Sequence, residues 1–173
     1  MKLVKCPTVL TDISPQPDLD LSGFVFLGGG ITGCPDWQSH LTKKLENQRG
    51  LTLLNPRRDD FDMSDPLMSE KQIEWEFYHL HNSDAIVFWF PAETLCPITL
   101  YELGFWAGNG FERQRHNRKT LFVGCHPKYK RRFDVVKQLS LVRPEIMVKS
   151  SLEAIAEDVA KFADVFAKVY NLE

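Results

Sequence analysis

The chain has 173 residues, 43% of them hydrophobic and 25% charged, and a net charge of −2. Those proportions predict one ordinary globular domain with room for a real core. They exclude a charge-driven affinity for nucleic acid polymers or membrane surfaces, and no apolar run reaches the roughly 20 residues needed to span a bilayer.

The N-terminal stretch MKLVKCPTVLTDISPQPDLDLSG has neither a signal-peptide core nor a cleavage pattern, so the expected location is cytoplasmic. The four cysteines, Cys6, Cys34, Cys96 and Cys125, would be reduced there. Residues 1–22 read as an irregular arm on the surface. Val4 could begin a short edge strand, but Pro7, Pro15 and Pro17 break anything longer. The domain proper is then 23–173.

Gly23 to Gly28 (GFVFLG) is the first strong strand. It runs into GGGITG, where glycines would let backbone N–H groups approach a ligand closely. A tight strand–helix turn explains them equally well. The run is neither a full dinucleotide fingerprint nor a P-loop. Pro35 suits the first turn of a helix, with Trp37, Leu41 and Leu45 on one face to about Gln48. After Gly50, LTLLN (Leu51 to Asn55) is a second buried strand, ending in NPRRDDFD. Asn55, Arg57 and Arg58 therefore sit at the carboxyl edge of the sheet. There the arginines would bind phosphate or active-site carboxylates, or simply pair with Asp59 and Asp60 in solvent.

Residues 67–82 predict a helix, with Ile73, Glu76, Phe77 and Leu80 near one face. Glu76 is the odd member: a buried Glu must be paired, protonated or functional, unless it turns outward beside His79 and Lys71. Ala85 to Phe90 (AIVFWF) is almost unbroken apolar sequence, the signature of a strand covered on both faces. A loop with two prolines follows, then a helix capped by Thr99, with Leu100, Leu103 and Trp106 at helical spacing. That reading places Glu102 in the first helical turn, at the strand–helix junction where α/β folds bind ligands. A Glu that merely complements the helix dipole is the alternative.

Lys119 to Cys125 (KTLFVGC) is the fourth strand, and the basic run from Lys128 to Arg132 after it reads as a helix face. Residues 129–140 predict a helix, and Glu145 to Lys149 a short fifth strand. Ser150 or Ser151 would cap a last helix with the stripe Leu152, Ile155, Val159, Phe162 and Phe166. Cys34, Cys96, Cys125 and His126 all follow strands, yet none has short metal-ligand spacing, so no metal is expected. Strand and helix alternate throughout. This predicts a single-domain α/β fold, a five-stranded parallel sheet with helices on both faces.

Several strings then align with one family. FLGGGITG followed by DW, then NPRR, QIEWE, SDAIVFWF and PITLYELG resemble the nucleoside 2-deoxyribosyltransferase-like proteins, over roughly residues 23–126. The resemblance implies a flavodoxin-like, doubly wound sheet, a site at its carboxyl edge and a homo-oligomer whose neighbouring subunit often completes that site. It implies a small-molecule nucleoside or nucleotide and a free base as partners, and no cofactor. The Glu of ELG, here Glu102, would attack the anomeric carbon of a 2-deoxyribose, and the sugar would pass to a second base or to water. The family's other acid falls on Glu76, which would orient the nucleophile or protonate the leaving base. Gly28, Gly29, Gly30, Asn55, Arg57, Cys96 and Thr99 are the expected substrate-binding positions. Where the transferases place an Asp shortly before the nucleophile, this chain has Cys96. Alternatives to base exchange are hydrolysis of a deoxynucleoside 5′-monophosphate and nucleotide sensing without turnover.

Overall fold

All six residues of AIVFWF (Ala85–Phe90) are buried, and this strand lies inside the sheet with a neighbour on each side. The computed structural model describes residues 1–9, 22–62, 64–108 and 118–169. Five strands lie parallel: β1 (Lys2–Lys5), β2 (Gly23–Gly29), β3 (Leu51–Asn55), β4 (Ala85–Phe90) and β5 (Thr120–Cys125), in the order β1-β3-β2-β4-β5. β4 pairs with β2 from Ala85 opposite Val25, and with β5 from Ala85 opposite Thr120.

The helices are α1 (Trp37–Lys44), α2 (Pro66–Asn82), α3 (Pro97–Gly108), α4 (Arg132–Val142) and α5 (Leu152–Val169). Alternation along the strands sends side chains to opposite faces. Val25, Leu27, Leu53, Val87 and Trp89 pack against α1 and α5. Phe26, Leu54, Ile86, Phe88 and Phe90 pack against α2, α3 and α4. Helices thus cover both faces, as the alternating pattern predicts, and the architecture is that of a flavodoxin-like α/β domain. From β2 the chain moves outward to β3, then returns to β4 and β5 on the other side. The carboxyl ends of β2 and β4 therefore flank a topological switch point, where such sheets bind ligands. Among the described residues no helix is long and apolar enough to cross a membrane.

The sequence reading misplaced one strand. Val4 lies in the full edge strand β1, paired with β3 from Lys2 opposite Thr52, and Val4 and Cys6 are buried. The start of the arm is thus part of the sheet; Pro15 and Pro17 lie outside the described residues. Pro7 follows the strand rather than interrupting it, and the open side of β3 supplies the pairing that four residues alone cannot signal. Conversely, the expected strand Glu145–Lys149 contributes one bridge, Gly124 opposite Lys149. Ile146 and Val148 pack on the core, but Met147 is exposed and no ladder forms. At the last helix Ser151 is the cap, accepting a hydrogen bond from the Ala154 N–H at 3.3 Å.

Candidate active site

The glycine run at the end of β2 is shaped by what surrounds it. A Cβ on Gly29 would lie 2.5 Å from Trp37 Cζ2 and 2.5 Å from the Trp89 carbonyl oxygen. A Cβ on Gly30 would lie 2.6 Å from Cys34 Sγ and 2.8 Å from Cys96 Sγ. Trp37 Nε1 donates to the Gly30 carbonyl at 2.9 Å and fixes the turn. The glycines are needed for packing, and the backbone they leave bare forms one wall of a cavity.

Helix α3 supplies a second wall. It begins at Pro97, so Thr99 lies within the helix rather than capping it, and Glu102 stands in the second turn, not the first. The turn into it is made by Cys96, at a φ of 48°, a backbone region that costs free energy for any residue but glycine. Leu103, Trp106 and Ala107 anchor α3 in the core, which leaves Glu102 on the cavity side. Cys96 Sγ sits 3.0 Å from Thr94 Oγ1, and Cys34 Sγ 3.5 Å from that same hydroxyl.

Helix α2 supplies the third wall. Asp65 caps it, accepting from the Leu67 N–H at 2.9 Å, and Pro66 suits its first turn. Its buried side is Gln72, Trp75, His79 and Leu80, not the predicted face: Ile73 and Phe77 are exposed, at 66% and 64%. Trp75 stacks on His79 with ring centroids 3.9 Å apart and donates to the Thr8 carbonyl at 2.7 Å. The bond from Trp75 to Thr8 and that from Gln72 Nε2 to the Pro56 carbonyl at 2.8 Å tie this side of the helix to the body of the domain, with Gln72 and Glu76, one turn apart, lining the cavity.

The resulting cavity, of about 400 Å³, gathers Gly28, Gly29, Gly30, Cys96, Thr99, Glu76 and Glu102. The volume lies within the range that small-molecule pockets occupy. Phe26, Ile31, Pro56 and Phe61 make its apolar surfaces. Neither carboxylate is ion-paired among the described residues. Burial is the main cause that raises both. The Gln72 amide, donating to Glu76 Oε1 at 2.8 Å, partly opposes it at Glu76. At Glu102 the neighbouring charge of Glu76 adds to it, and the group is pushed up to about 8.

Two expected substrate contacts lie elsewhere. Asn55 is buried and accepts from the Arg57 N–H at 3.0 Å, closing the turn after β3. Arg57 does not line the cavity. Its guanidinium bonds Gln38 Oε1 at 3.0 Å and Asp36 at 3.3 Å, tying that turn to the start of α1. The cationic side chain that does line the cavity is Arg58, held by Asp60 through two contacts of 3.0 Å. Gln72, Phe61 and Thr94 also line it and were missed by the sequence reading. Gln72 had a usable signal, its one-turn spacing from Glu76; the two loop residues had none.

A family model for nucleoside 2-deoxyribosyltransferase-like proteins matches residues 23–114. The chain belongs to the nucleoside 2-deoxyribosyltransferase-like family. The match takes in the glycine turn, α2 and α3, and so every residue named above as lining the cavity. β1, β5, α4 and α5 lie outside it. No curated protein matches the chain.

Proposed function

We propose that this protein is a nucleoside 2-deoxyribosyltransferase, a pentosyltransferase that moves deoxyribose between bases through a covalent intermediate on Glu102. One observation carries the reading: two helices bring Glu102 and Glu76, without cationic partners among the described residues, into a single cavity beside the bare backbone of Gly28–Gly30. A Glu102 oxygen bonds C1′ as the C1′–N bond breaks, and that bond's electron pair leaves with the base. The carboxylate opposes the positive charge that gathers at C1′ in such a transition state. Glu76 gives a proton to the departing base nitrogen. An incoming base then bonds C1′ and expels Glu102 as the carboxylate, its N–H proton passing to Glu76.

The attack requires ionised Glu102. The reactive pair has Glu102 ionised and one proton on Glu76, so kcat/KM should rise as the first of the pair's two protons is lost and fall as the second leaves near about 8, since it follows the free enzyme. Two carboxylates and an Arg58 already engaged by Asp60 favour an uncharged nucleoside over its 5′-monophosphate.

A homo-oligomer fits the same face. Ile73, Phe77, Ile98, Tyr101 and Phe105 are exposed, at 66%, 64%, 66%, 75% and 48%. Ring contacts of Phe77 and Phe105 with His81, at 4.1 and 6.3 Å, join the two helices' share of this surface. Apolar surface of this extent marks an interface.

The deciding experiment incubates the protein with deoxyadenosine, deoxycytidine and their 5′-monophosphates, with and without a second free base. A new deoxynucleoside formed only with the acceptor base, and absent in Glu102→Ala, establishes the transferase. Free base released regardless of acceptor makes it a hydrolase. No turnover of any substrate removes the proposal and favours a sensor.

A further inference from the structure

We propose that Gln72 is a positioning residue that decides which of the two cavity carboxylates holds their shared proton. The proposal deepens the reading above and rests on Glu76 and Glu102 acting as a pair.

The Gln72 amide has one available orientation. Gln72 is buried, and its Nε2 lies 2.8 Å from the Pro56 carbonyl oxygen. A carbonyl can only accept, so the NH₂ side of the amide must face Pro56. That NH₂ has a second hydrogen, and Glu76 Oε1 lies 2.8 Å from the same nitrogen. The amide oxygen is left facing Cys6 Sγ at 3.1 Å, and the thiol can donate to it. Cys6 is pushed up to about 11, mainly by burial, so it remains a neutral donor across the working pH range. Pro56 and Cys6 together prevent the amide from turning over. Glu76 Oε1 therefore always meets a donor and never an acceptor.

A fixed donor favours the ionised form of its carboxylate. Among the described residues Glu102 has no hydrogen-bond donor of this kind acting on it; burial and Glu76 both oppose its charge. Two buried carboxylates in one cavity cannot both ionise cheaply, so the proton that remains goes to the one without the donor. In the free protein that is Glu102. The other charged or titratable groups around the pair do not reverse this. Arg58 is engaged by Asp60 and lies close to Cys6 rather than to either carboxylate in its electrostatic coupling, and the Cys96 thiol is raised by burial and stays neutral. The consequence for the reaction is direct. Free enzyme holds the nucleophile protonated and the base's proton donor ionised, and catalysis requires the proton to pass from Glu102 to Glu76. Gln72 thus favours the arrangement that must be reversed before reaction, whatever the pH at which the pair holds one proton.

The test follows each carboxyl by ¹³C NMR of glutamate-labelled protein, assigned with Glu76→Gln and Glu102→Gln. Gln72→Met keeps length and loses the donor. It should lower the Glu102 titration by about one unit or more and raise that of Glu76. The acid limb of any pH–rate profile, which follows the ionisation of Glu76 in the free enzyme, should move up with it. Cys6→Ala, which only loosens the amide, should shift Glu102 the same way by less, and Cys6→Ser should leave it in place. If Gln72→Met does not fold, Cys6→Ala carries the test alone. A Glu102 titration that stays put or moves up in these variants overturns the proposal. The titration needs no substrate, so a protein that turned over no nucleoside would lose its proposed activity while this assignment stood.

Discussion

The two faces of the sheet handle charge in opposite ways. On the α1/α5 face, charged and polar side chains sit outside and pair: Lys44 with Glu153 at 2.9 Å, Lys149 with Asp158 at 2.9 Å, Gln48 with Asp164 at 2.6 Å. Beneath them the core is apolar apart from Gln38 of α1, which is fully buried and accepts from Arg57. On the α2/α3 face the carboxylates Glu76 and Glu102 sink toward the core, while Ile73, Phe77 and Ile98 point outward. That inversion costs free energy twice, in desolvated charge and in exposed apolar area. The first face is built for stability. The second carries that cost around the cavity of Glu76 and Glu102.

The sharpest way to break this contrast is Glu102→Ala. If the buried carboxylate is the nucleophile, kcat should fall by about 10³-fold or more in the base-exchange assay. An equal rate in wild type and variant would leave the α2/α3 face without its function.

Next in size is a gain. Glu102 is raised, so the folded state keeps a proton that the unfolded chain loses near its ordinary value. Its contribution to stability is full below 4.5, declines as pH rises toward about 8, and is flat above. Glu102→Gln removes that dependence. The variant should match wild type at pH 4.5 and exceed it by roughly 2–4 kcal/mol at pH 8. Urea unfolding at both pH values checks this, and a stability difference that does not widen with pH contradicts it.

Neighbouring glycines then compare the faces directly. Gly29→Ala drives a methyl into Trp37 and the Trp89 carbonyl on the α1/α5 side, where backbone cannot yield; the expected loss is about 1–3 kcal/mol. Gly28→Ala meets the Phe88 ring at 3.1 Å on the more open side and should cost less. Reversed ranking in thermal unfolding would deny the difference in packing.

The smallest effect belongs to the surface pairs. Glu153 is lowered to about 2, first by Lys44 and also by His40, so its contribution is present above 4.5 and lost as pH falls toward 2. Being exposed, it is screened. Glu153→Gln should change stability at pH 7 by no more than about 0.5 kcal/mol.

What could be read in advance divides along the same line. Leu51–Asn55 and Ala85–Phe90 are buried on both sides, and continuous apolar sequence states that without ambiguity. Glu102 and Glu76 were legible because strings of neighbours resemble one family. The face of α2 was not, because Trp75 and His79, one intermediate and one polar by type, outcompete Ile73 and Phe77 for the core through stacking and a bond to Thr8. Arg57 and Arg58 are adjacent, and sequence alone could not say which one the turn at Asn55 would consume. β1 was hidden for a different reason: its only evident partner, β3, lies far along the chain.

That distance has a consequence for how the protein is made. β1 is synthesised before either the strand it pairs with or the helix it touches. Its residues must wait, unpaired, until β3 has formed beside β2, and only then does Cys6 meet Gln72 on α2. Closure of a long loop is slow relative to local structure. The glycine turn, α2 and α3 can come together without β1, and the contact that orients the Gln72 amide is added once β1 joins β3. A nascent chain caught between those two moments would have the pocket and not yet its proton order.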